Sequence, residues 1–133
     1  MSGRELVASE WVQKAENDLT TAVHTLRLGK ACPTDTVCFH AQQCVEKYLT
    51  ALLVHVGVDF PRTHSIGDLV ILLPPGKRPP VTAAEEERLT DYAAMIRYPG
   101  DYKPISLSEA RQAVAIARRV RTAVRPFLPP NRT

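Results

Sequence analysis

Apolar residues recur at three- and four-residue steps along most of this chain, and nowhere in the alternation that marks a half-buried strand. From Arg4 to Leu28 the stripe is Leu6, Val7, Trp11, Ala15, Leu19, Ala22, Val23 and Leu26, with Gly29 as the stop. A second helix is predicted to open after Pro33, capped by Thr34 or Asp35, and to end at Gly57. Pro61 disfavours helix at Phe60, so Phe60 to Ser65 reads as a connector, and Ser65 caps a short helix from Ile66 to Leu73. The proline-dense stretch Pro74 to Pro80 reads as a stiff surface loop and the most mobile segment. Thr82 with Glu85 forms a capping-box pattern for a helix through Leu89, Tyr92, Ala93 and Ile96, stopped by Tyr98, Pro99 and Gly100. Ser106 with Glu109 repeats the device, and the last helix turns Ala110, Ala113, Val114, Ala117, Val120, Val124 and Phe127 inward and its arginines outward.

Four long helices and one short one, joined by short connectors, predict an all-α, antiparallel up-and-down bundle. One domain over residues 1–133 is expected, with its core at about 4–128. The apolar stripe of the second helix is wider than its own neighbours are expected to cover, which predicts a homodimer. Trp11, Tyr48, Leu52 and Phe127 read as core.

An apolar content of 44% with 23% charged residues excludes collagen-like and disordered classes. The net charge of +3 is too small to argue by itself for a nucleic-acid or membrane partner. From Ser106 onward Arg111, Arg118, Arg119, Arg121, Arg125 and Arg132 are opposed only by Glu109, so the last helix concentrates the excess; it faces either an anion or water, and reads as a solvated face. Cys32, Cys38 and Cys44 are odd in number and lack CxxC spacing, and the start has no secretory pattern, so a cytoplasmic protein with reduced thiols is expected. The longest apolar run, Leu69 to Leu73, is too short to span a bilayer.

The chemistry sits on an otherwise apolar second helix, which carries His40, Gln42, Gln43, Glu46 and Lys47. Gln43, Glu46 and Lys47 lie one turn apart, so at least two share a face. If that face is internal, Glu46 requires a partner, and Arg97 is the expected one; the alternative is a polar cluster lining a ligand cleft. His40 and Cys44 have the spacing of half a zinc site that nothing else completes, so neither metal nor cofactor is expected. Arg97, Tyr98, Asp101, Tyr102 and Lys103 form a loop before a helix N-terminus, where Arg97 or Lys103 can hold a phosphate and a tyrosine a base. The plainer alternative pairs Arg97 with Asp101 or with a carboxylate on a neighbouring helix and leaves Tyr98 and Tyr102 as loop anchors. In the Arg62-Thr63-His64 turn, the imidazole either hydrogen-bonds backbone or, with Arg62, contacts RNA or a phosphate.

Ala15 to Leu19 in the first helix, Phe39 to Tyr48 in the second, Arg62-Thr-His-Ser followed by Asp68-Leu69, and Ile96-Arg97-Tyr98-Pro99 together resemble the HEPN family. The resemblance implies a small, usually dimeric helical bundle, often encoded beside a minimal nucleotidyltransferase as a two-component, toxin–antitoxin-like pair. Some members are implied to be metal-independent ribonucleases, built on an Arg followed four to six residues later by His; others bind nucleotides without cleaving RNA. This chain has no His after Arg97 in that window, and Arg cannot serve as the proton-transfer group. The resemblance therefore implies a non-catalytic module binding a nucleotide or RNA. The rival is a modified endoribonuclease using Arg97 and His64, and a third reading is a purely structural interaction module.

Overall fold

The computed structural model describes residues 2–94 and 103–130. Helix α1 spans Gly3–Leu26, α2 Thr34–Val56, α3 Ile66–Leu72, α4 Ala83–Asp91 and α5 Leu107–Val124, and no strand occurs among the described residues. The chain is an all-α bundle with α2 at its centre, packed against α1, α5, α3 and α4. Helix α1 runs antiparallel to α2, so that Glu16 meets Tyr48 while Asp18, half a turn on, meets Lys47 and His40.

Several ends follow the predicted chemistry, but α4 stops at Asp91 with Tyr92 as its C-cap, so Tyr92 and Ala93, expected inside the helix, lie beyond its end. Ser65 accepts from the Asp68 N–H at 3.3 Å, and Thr82 and Glu85 close a full capping box. Gly57 terminates α2 in the left-handed region at φ 78°, where a side chain would be strained. At α5 only half of the predicted box forms. Ser106 caps the Glu109 N–H, but the Glu109 carboxylate accepts from the Tyr92 hydroxyl at 2.5 Å and ties α5 to the end of α4. At α2 neither Thr34 nor Asp35 is the cap; Pro33 is, and the Thr34 hydroxyl donates to the Ile105 carbonyl. The Pro74 to Pro80 stretch folds into a 3₁₀ turn at Pro75–Lys77, and Arg78 pins it by donating to the Leu73 and Ile71 carbonyls.

The apolar stripe of α2 is covered within the chain. Val37, Cys38, Ala41, Cys44, Val45, Tyr48, Leu49, Leu52 and Leu53 are all fully buried, so the reasoning from that stripe to a dimer does not hold. The exposed large apolar residues lie elsewhere, at Leu6, Val7, Leu28, Ile71 and Phe127. Phe127 is thus not core but sits at the surface beside the Lys77 ammonium. No helix among the described residues is long and apolar enough to cross a membrane.

Candidate functional site

The polar block of α2 divides between two clusters. Gln42, Glu46 and Thr50 stand at i, i+4 and i+8 and turn toward the connector, whereas His40 and Lys47 stand seven residues apart and turn toward α1. Gln43 lies between the two rows.

In the first cluster Glu46 Oε1 accepts from Gln42 Nε2 at 3.1 Å and lies 2.7 Å from His64 Nδ1. The carboxylate can only accept, so Nδ1 of His64 carries a proton and, in the neutral ring, Nε2 keeps its lone pair. Gln42 is fully buried, and its amide is satisfied on both sides: Nε2 also reaches the His64 carbonyl at 3.4 Å, and Oε1 accepts from Gln43 at 2.6 Å. Among the described residues the partners of Glu46 are His64 and Gln42; Arg97, the partner that the sequence suggested, lies outside them. The backbone role expected for the His64 ring falls instead to its own carbonyl.

In the second cluster Asp18, only 8% exposed, receives His40 Nδ1 at 2.8 Å on one oxygen and Lys47 Nζ at 2.5 Å on the other. Lys47 is thereby removed from the Glu46 face. A third acid, Glu16, accepts from the Tyr48 hydroxyl and, at 2.6 Å each, from Arg121 and Arg125 of α5. Burial pushes the Glu16 carboxyl up, but the Tyr48 hydroxyl and the Arg121 guanidinium outweigh it and hold the group below the usual carboxylate value. Burial and the Glu16 hydrogen bond in turn push the Tyr48 phenol well up. Arg121 and Arg125 are thus paired with an acid of another helix while still partly exposed, and Arg119 bridges to Glu85 at 2.8 Å.

Beside the Glu46–His64 pair lies a mainly apolar cleft of about 460 Å³, walled by Trp11, Thr50, Phe60 and Leu69 and rimmed by Arg62 and His64. Clefts of about 300–1,000 Å³ with an apolar lining and a few placed polar groups are the usual form of small-molecule sites. Arg62 is exposed and has no hydrogen-bond or ion-pair partner among the described residues. The imidazole of His64 is 69% exposed. Trp11, expected in the core, is instead only half-buried and forms a wall of this cleft.

Of the residues predicted for a ligand, the structure brings together Glu46, Arg62 and His64, places Gln43 at their edge, and diverts Lys47 to Asp18. Lys103 is exposed at the approach to α5. Arg97, Tyr98, Asp101 and Tyr102 lie outside the described residues. Among the described residues no three His, Cys, Asp or Glu side chains converge as a metal site would require. The cysteines are unpaired; burial pushes the Cys38 thiol up to about 12 and the Cys44 thiol higher still, so neither is a ready nucleophile.

The HEPN domain model matches residues 8–126, which includes both clusters and the cleft. The crystal structure of TT1696 from Thermus thermophilus is similar in fold, with a TM-score of 0.72 at 28% identity over 91% of this chain and 98% of that one. No curated protein matches the sequence.

Proposed function

Starting from the fact that this chain belongs to the HEPN domain family, we propose that it is a non-catalytic module that binds a nucleotide or RNA and works with a separately encoded minimal nucleotidyltransferase in a two-component, toxin–antitoxin-like system. The observation that carries the binding part is the cleft walled by Trp11 and Phe60 and rimmed by Arg62. A nucleobase suits the aromatic walls, and an unpartnered guanidinium at the rim suits a phosphate. Gln43, Glu46 and His64 offer the base edge or ribose an acceptor and donors. Arg97, Tyr98, Asp101 and Tyr102 join the proposed binding set on the family resemblance alone, and Lys103 would add a separate phosphate contact, since Ile105 is held at the start of α2, about 18 Å along that helix from Glu46. Homodimerisation belongs to the same proposal, supported by the family expectation and by the adjacent exposed Leu6 and Val7 of α1.

One observation favours a second reading. The Glu46–His64 pair is a carboxylate orienting an imidazole, the arrangement that readies a general base, and its free Nε2 belongs to a largely exposed ring. A modified ribonuclease would use His64 in that way with Arg97 as the phosphate ligand. Incubation of the purified protein with single-stranded RNA and transfer RNA in the presence of chelator separates the readings. Intact RNA, together with calorimetric binding of a ribonucleoside triphosphate that Arg62→Ala weakens, is the expected result. Cleavage abolished by His64→Ala overturns the non-catalytic reading, and absence of any nucleotide or RNA binding overturns the binding one.

A further inference from the structure

Trp11 and Glu16 lie roughly 140° apart around α1, given 3.6 residues per turn, so the helix presents a second flank away from the cleft just described. There a groove of about 390 Å³ opens between α1 and α5, edged by Thr20, His24, Arg118, Arg121 and Thr122, with Glu16 at one end. We propose that this groove is a track for the sugar-phosphate backbone of single-stranded RNA. The choice of RNA over another polyanion rests on the nucleotide-or-RNA reading above; the site itself does not.

Charge is the first argument. Glu16 is the lone carboxylate in the lining and already accepts from Arg121, Arg125 and the Tyr48 hydroxyl. Two guanidiniums against one carboxylate leave the groove positive before Arg118 is counted. Arg118 is exposed and has no partner among the described residues. Its guanidinium is free to meet a phosphate, with the Thr20 and Thr122 hydroxyls as further donors.

Length is the second argument. Arg111 and Arg118 lie seven residues apart and so stay on nearly one face of α5, about 10 Å apart along its axis, and Arg125 follows at the same step just past its end. Because Glu16 meets Arg121 and Arg125 while His24 shares the groove with Arg118, α5 runs antiparallel to α1. The exposed Arg27, one turn beyond His24, therefore extends the positive line toward Arg111. A file of cations over about 20 Å fits a polyanion better than a single phosphate. The third argument is composition. No Phe, Tyr or Trp lines this groove and His24 is the single ring in its lining, so it has no row of platforms for successive bases, and contacts mainly to phosphate and ribose do not discriminate sequence.

The test is the salt dependence of binding, read by anisotropy with a labelled oligouridylate of about twelve nucleotides at about 50 to 200 mM salt. Arg118→Gln is expected to weaken binding several-fold at the lowest salt and to lower the slope of log K against log salt by about 0.7, the value for one phosphate contact on a single strand. Arg111→Gln with Arg118→Gln is expected to lower the slope about twice as far, Arg118→Lys to restore it, and Arg88→Gln on α4, off the groove, to leave it unchanged. All of these side chains are exposed, and a thermal melt of each variant shows that the bundle is intact. A wild-type slope in Arg118→Gln overturns the proposal, as does a polyglutamate of equal length that binds as tightly as the RNA. Loss of mononucleotide binding in the Trp11 cleft with this pattern preserved counts against the cleft alone. The reverse outcome counts against the groove alone.

Discussion

Asp18 joins α1 to α2 electrostatically, because a carboxylate that is only 8% exposed holds both an imidazole and an ammonium. Asp18→Ala strands Lys47 and His40 against α1. With those two partly solvated, the expected loss is about 2–4 kcal/mol, read as a lowered urea midpoint with an unchanged m-value. Glu16 makes a complementary prediction about pH. Its folded value lies below the ordinary 4.5, so its contribution to stability is full above that value and is lost as pH falls through the lowered folded value. Glu16→Gln should therefore flatten the acid limb of the stability profile, and should cost about 1–2 kcal/mol at neutral pH after allowing for solvent screening of Arg121 and Arg125. Part of this was legible in the sequence. Asp18 falls between Ala15 and Ala22 on the buried stripe of α1, a position that demands a partner, although nothing local says which helix supplies it. The pairing of Glu46 with His64 was hidden for the same reason: spacing along α2 fixes which residues share a face, not which connector folds over them.

At the scale of elements, stops and caps were the most legible features, because their chemistry is local. Thr82→Ala is expected to cost about 1 kcal/mol by removing the hydroxyl that accepts the Glu85 N–H. Gly57→Ala is expected to cost about 1–2 kcal/mol for the left-handed backbone, since the three atoms nearest to an added Cβ all belong to the far end of the long Arg4 side chain. Both changes can be read by thermal melting. The arginines of α5 read as a solvated face because a charged helix surface looks the same in sequence whether water or an acid on another helix lies opposite. Arg121 and Arg125 instead join α5 to α1 through Glu16, and that junction leaves one edge of the α1–α5 groove positive.

For the molecule as a whole, the five helices and the family were readable, apart from the length of α4, which ends at Asp91 and not beyond Ala93, whereas the small-molecule cleft was not. Trp11, Phe60 and Arg62 come together across α1 and a connector, and a half-buried tryptophan has the same sequence signature as a core one. The same limit applies to assembly. The α2 stripe is buried within the chain, so a dimer must use other surfaces, such as that bearing Leu6 and Val7. Light scattering after size exclusion at micromolar concentration is expected to give twice the 14.7 kDa chain mass, with Leu6→Glu shifting it to the monomer. Binding at the cleft can be read without any label, because the chain contains a single tryptophan and that residue is a wall of the cleft. Titration of intrinsic fluorescence with ribonucleoside mono- and triphosphates should give a saturable change that Arg62→Ala weakens and Trp11→Phe abolishes. An emission that stays constant to millimolar nucleotide, in protein whose melt shows it folded, would contradict a nucleotide site in this cleft.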